Sequence, residues 1–94
     1  MMSLCHVAWQ KGGQGTIESL QGDAIVIVST TPSPPGSRID GQLTGRNGEA
    51  GPTLRVKIHS SKKQSDGSFL LEGRALDMTR QVRTFIVAEA TPQN

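Results

Sequence analysis

The residues whose types and spacing best suit chemistry are cations. Arg55, Lys57 and His59 alternate along one run, which continues to Lys62 and Lys63. Alternate residues of a strand share a face, so this pattern offers a row of positive charge to a polyanion such as nucleic acid. A solvated strand edge guarded by charge would look the same. Binding bases as well as phosphates also takes exposed aromatic surfaces. The aromatic residues are Trp9, Phe69 and Phe85, and the last two fall in phase with apolar core positions.

Covalent and metal chemistry find less support. Cys5, His6 and His59 are the only cysteine and histidines. A closed zinc site at Cys5-His6 would need partners from elsewhere in the chain. Gly45-Arg46-Asn47-Gly48 and Gly12-Gly13-Gln14-Gly15 are glycine-rich. Neither lies between a strand and a helix, as a phosphate loop requires, and both read as turns. The eight carboxylates are Glu18, Asp23, Asp40, Glu49, Asp66, Glu72, Asp77 and Glu89. Most fall at turns or solvent-facing positions, and no pair stands out as general acid and base. The expectation is a binding or interaction module without catalytic residues, metal site or cofactor.

Ninety-four residues make one domain with a thin, mainly aliphatic core, since 34% are apolar and 3% aromatic. The net charge of +2 names no partner by itself. A single cysteine forms no internal disulfide and suits a reducing compartment. No run approaches the roughly 20 apolar residues of a membrane span, and the first residues lack a secretory pattern. The expected setting is cytoplasmic.

The elements that must position these residues are mostly strands. Residues 1–15 end in a glycine-rich run and read as a flexible N-terminal arm, with Leu4, Val7 and Trp9 available to tack onto the domain. Residues 16–90 read as the folded unit. Thr16–Leu20 is a strand, and Gly22 marks a turn. Ala24–Ser29, A-I-V-I-V-S, is β-branched and continuous enough to suggest burial on both faces. Pro32, Pro34 and Pro35 break regular structure. Ser37–Thr44 alternates, with Ile39, Gly41 and Leu43 on one face, and Asn47-Gly48 signals a turn. Thr53–Lys63 alternates most clearly, with Leu54, Val56 and Ile58 inward. Asp66-Gly67 closes a hairpin into Ser68–Leu76. Asp77 and Thr79 are helix N-cap types, and Met78, Val82, Phe85 and Ile86 recur at helical spacing. The fold class is mainly β: a small antiparallel barrel of about six strands with a C-terminal helix.

Ile17-Glu18-Ser19-Leu20-Gln21-Gly22 resembles the Asp/Asn-x-Ser-x-x-Gly signature of the PilZ family, the bacterial cyclic-di-GMP receptor modules. Pro35-Gly36 is similar to that family's corner before the next strand. Asp66-Gly67-Ser68-Phe69 with Glu72-Gly73 resembles its late hairpin, and Leu76–Ala88 takes the place of its closing helix. The resemblance implies a barrel that works in signalling, with Ser19, Gly22 and Arg38 as what remains of a nucleotide site. Ile17 occupies the acidic position, and no arginine precedes Arg38 to supply the family's N-terminal Arg-x-x-x-Arg pair. Lys11 cannot replace a stacking guanidinium. The implied function is therefore a non-enzymatic module that binds cyclic-di-GMP weakly or not at all and acts through protein contacts or a second copy of itself. Trp9, Arg80 and Arg83 are the contact candidates. The alternative is a small basic barrel that binds nucleic acid through Arg55, Lys57, Lys62 and Lys63.

Overall fold

The computed structural model describes residues 5–45, 48, 50–76 and 78–90, with side chains through Ile86. Leu4, Asn47 and Asp77, which carried expectations above, lie outside the described residues, as do residues 91–94. Six strands, β1 (Cys5–Trp9), β2 (Gln14–Gln21), β3 (Ala24–Ser29), β4 (Arg38–Thr44), β5 (Ala50–Lys63) and β6 (Phe69–Leu76), precede one helix, α1 (Arg80–Ala90). The strands form a closed barrel in the order β1-β2-β3-β6-β5-β4, with every pair antiparallel. The expected fold class is the observed one.

Strand period decides what the barrel encloses. Val7, Ile17, Ile25, Ile27, Leu43, Leu54, Val56, Ile58 and Leu71 all point inward and are fully buried. The expected inward set Leu54, Val56 and Ile58 holds, and so does the face of Ile39, Gly41 and Leu43.

The N-terminal arm is a correction. Cys5–Trp9 is a barrel stave that pairs with β2 on one side and β4 on the other, so it closes the ring. Cys5, Val7 and Trp9 alternate inward with His6 and Ala8 outward. The glycine run after it is a tight turn: Gly12 and Gly13 adopt φ of 108° and 92°, and the Trp9 amide donates to the Gly13 carbonyl at 3.0 Å. Trp9 is thus a core residue and no surface contact. Its indole lies beside Gly15 and Gly41, where a Cβ would come within 3.0 and 2.8 Å of the ring.

A second correction concerns β3. Ile25, Ile27 and Ser29 are buried, whereas Val26 and Val28 are half-buried and Ala24 is exposed. A barrel has one interior, so a continuous apolar strand still buries only one face. On the outer face Val28 sits opposite Thr16 and Leu70, which cover part of it.

The ends are closed differently. Thr79 caps α1: its Oγ1 accepts from the Val82 amide at 3.1 Å. Val82 and Ile86 bury their side chains in the core, and the Phe85 ring fills the space a Cβ of Gly51 would occupy, 2.6 Å away. Arg83 donates to the Gly22 carbonyl at 3.0 Å, tying the helix to the β2–β3 turn. At the opposite end Lys11 donates to the Pro32 carbonyl at 2.8 Å and to Ser33 Oγ at 2.7 Å, which pins the proline-rich connector.

Candidate interaction surface

One side of β5 is left open beyond the end of β4. β5 has 14 residues and its neighbour β4 has 7. Their ladder reaches Arg38↔Lys57. Two further bonds, Ile58 N–H to the Ser37 carbonyl at 2.8 Å and Gly36 N–H to the Ile58 carbonyl at 2.7 Å, end the contact. Past that point residues 60–63 pair with β6 alone. Their other side carries no backbone partner among the described residues.

A bulge sits where this overhang begins. The β5–β6 register shifts between Ile58 and Ser60, leaving His59 as the extra residue. The strands approach so closely here that a Cβ on Gly73 would lie 2.2 Å from the Lys57 carbonyl oxygen. The bulge also changes the phase of the cations. Arg55 and Lys57 face outward, and the bulge brings Lys62, opposite the outward Leu70, onto their face. Lys63, opposite Phe69, falls on the other face, and His59 leaves the alternation. Lys62, Lys63 and His59 are exposed.

The same shift assembles a row that sequence reading missed. Arg38 lies opposite Lys57, and Lys57 lies opposite Arg74, so three cations stand abreast on neighbouring strands. Counting back from the Asp66-Gly67 turn without a bulge would place Ala75 there instead. Like charges directly opposed are unfavourable, and two carboxylates moderate the row. Asp23 Oδ2 lies 3.2 Å from Arg74 Nε. Beside it Asp40 receives Arg55 through two bonds, at 2.8 and 3.3 Å. The Arg55 hydrogen bond holds the Asp40 carboxyl below its ordinary value; desolvation opposes this and the guanidinium charge reinforces it. Arg38, Lys57, Lys62 and Lys63 have no ion-pair partner among the described residues.

The residues assigned by the PilZ resemblance are not gathered. Ser19 is on β2 opposite Val26, Gly22 is in the β2–β3 turn with φ of 62°, and Arg38 opens β4. β2 and β4 are not neighbours in the ring. Ser19 instead joins His59 and Glu72 around an open depression of about 360 Å³ that excludes Arg38. Arg80 and Arg83 are exposed on α1, as a contact role would need, although Arg83 is already bonded to Gly22.

Among the described residues no group of His, Cys, Asp and Glu side chains could hold a metal ion, and no helix is long and apolar enough to cross a membrane. Fold and surface together define a small six-stranded antiparallel barrel with an open, basic strand edge. Comparison with known proteins finds no matching family, curated sequence or solved structure.

Proposed function

We propose that this chain is a non-enzymatic, PilZ-like interaction module of the bacterial cyclic-di-GMP type that acts through a protein contact, with weak or no nucleotide binding. The observation that carries the reading is the overhang of β5 beyond β4, a length of strand edge that pairs on one side only among the described residues. The separation of Ser19 from Arg38 and the isoleucine at Ile17, buried in the core, argue against a nucleotide cradle.

The test has two parts. A photo-cross-linking residue replaces Lys63, and in a second variant Arg80, in the native host. The reading expects discrete protein adducts from at least one position, and no adducts from either overturns it. Calorimetry with cyclic-di-GMP should give no saturable binding at low micromolar concentration. Tight binding lost in Arg38→Ala or Ser19→Ala would restore a nucleotide receptor.

A second reading, nucleic-acid binding through Arg55, Lys57, Lys62 and Lys63, is favoured by the Arg38–Lys57–Arg74 row. It ranks lower because Arg55 is held by Asp40, Trp9 is buried and Phe85 packs on Gly51, which leaves little aromatic surface for bases.

A further inference from the structure

We propose that the open edge of β5, residues 59–63, receives an extended acidic segment of a protein partner as an added strand. The inference rests on the interaction-module reading and names the partner's chemistry. It starts from the backbone. Residues 60–63 pair with β6 on one side, and residues 59–63 have no backbone partner on the other among the described residues. Strand addition satisfies such a row of N–H and C=O groups together. The place to be filled is where the chain of β4 leaves the sheet at Gly36, whose N–H makes the last bond to β5.

Charge selects the occupant. Lys62 and Lys63 rise on opposite faces of the edge, and Arg38 and Lys57 stand at its foot, none with an ion-pair partner among the described residues. The nearby carboxylates are committed or lie across the strand: Asp66 accepts from the Ser68 amide and hydroxyl within the turn, and Glu72 lies opposite Ser60 on the β6 side. An added strand with Asp or Glu on both faces would meet Lys62 with one and Lys63 with the other. A second copy of this edge would instead bring lysine against lysine, the arrangement by which natural edges prevent self-pairing. Nucleic acid would use the cations and leave the backbone groups unbonded.

The experiment titrates the isotopically labelled full chain with a blocked peptide alternating glutamate and valine, roughly eight residues long, a common strand length. Three controls accompany it: lysine in place of glutamate, N-methylation of alternate peptide amides, and a short oligothymidylate. Expected are amide shift changes and slowed hydrogen exchange confined to residues 59–63 and the Gly36–Arg38 segment. The dissociation constant should lie below about 1 mM. Lys62→Glu with Lys63→Glu should weaken binding by about tenfold or more, and N-methylation should abolish it. Shifts elsewhere, equal binding of the lysine or N-methylated peptide, or no binding overturn the proposal. Tighter binding of the oligothymidylate to the same residues also overturns it and hands the edge to nucleic acid. If a cross-linker at Lys63 captures protein while the acidic peptide fails, only the acidic-strand assignment falls; if no position captures protein, the module reading falls with it.

Discussion

The Trp9 indole N–H donates to Ser29 Oγ at 2.9 Å, with both residues almost fully buried. Ser29 relays the bond by donating to the Thr31 carbonyl at 2.8 Å. The closing stave β1 is thereby tied to the start of the proline-rich connector by a short polar chain inside an apolar barrel.

Removing the acceptor should show what this chain is worth. Ser29→Ala leaves a buried indole donor without a partner and should cost about 1–3 kcal/mol in urea unfolding. In a Trp9→Phe background the same change should cost clearly less, because the donor is gone. Native tryptophan emission should be that of a buried indole at every dilution.

Gly73→Ala should be among the most damaging single-methyl changes in the chain. The added carbon would sit 2.2 Å from the Lys57 carbonyl oxygen, and backbone cannot step aside as a side chain can. A loss at or above the upper end of the roughly 1–3 kcal/mol typical of overpacking is expected. Gly67→Ala is a useful contrast: nothing lies within 4 Å, and only the φ of 90° opposes it.

Ile27→Ala tests the core directly. Ile27 is wholly buried between Ile17 and Leu71 on the neighbouring strands. A loss of about 2–5 kcal/mol is expected from chemical denaturation, and a value near zero would mean β3 is not central.

The Asp40–Arg55 pair sets a pH dependence with a definite sign. The folded carboxyl titrates below its ordinary 3.8, so its contribution is present above that value and lost as pH falls through the lower folded one. Asp40→Asn should lower the urea midpoint slightly at neutral pH, and the gap from the parent protein should close in strong acid. A gap that persists or widens there would mean that the pair is not responsible.

The lower-ranked nucleic-acid reading also makes a measurable claim. Single-stranded DNA should bind weakly, and affinity should fall steeply with salt because bound phosphates release counterions. A tight complex that survives physiological salt and is lost in Lys62→Ala with Lys63→Ala would reverse the ranking.

The legible parts of this fold are those governed by local chemistry. The alternation through Leu54, Val56 and Ile58, the Asp66-Gly67 hairpin and the Thr79 cap are all decided within a few residues. β1 was misread because five alternating residues are a short signal and the glycines after it look like a linker. Only pairing with both β2 and β4 makes them a stave. The open edge was hidden for a related reason. It is a mismatch in length between β4 and β5, and sequence shows neither where their ladder stops nor that His59 is bulged out. Arg74 went unnoticed because its place beside Lys57 depends on that same bulge.

The order of the ring has one more consequence. β1, β2 and β3 pair in succession, as do β4, β5 and β6, and the two triplets join only at β3·β6 and β1·β4. The barrel is thus two consecutive meanders zipped along two seams, with residues 30–37 as the only covalent bridge. Each meander is assembled from near neighbours, whereas the seams wait on distant ones, so zipping is expected to be the slow step of folding. It is also an exchangeable step: a chain cut within the bridge should reassemble from its halves, and two intact chains at high concentration can trade halves across the same seams.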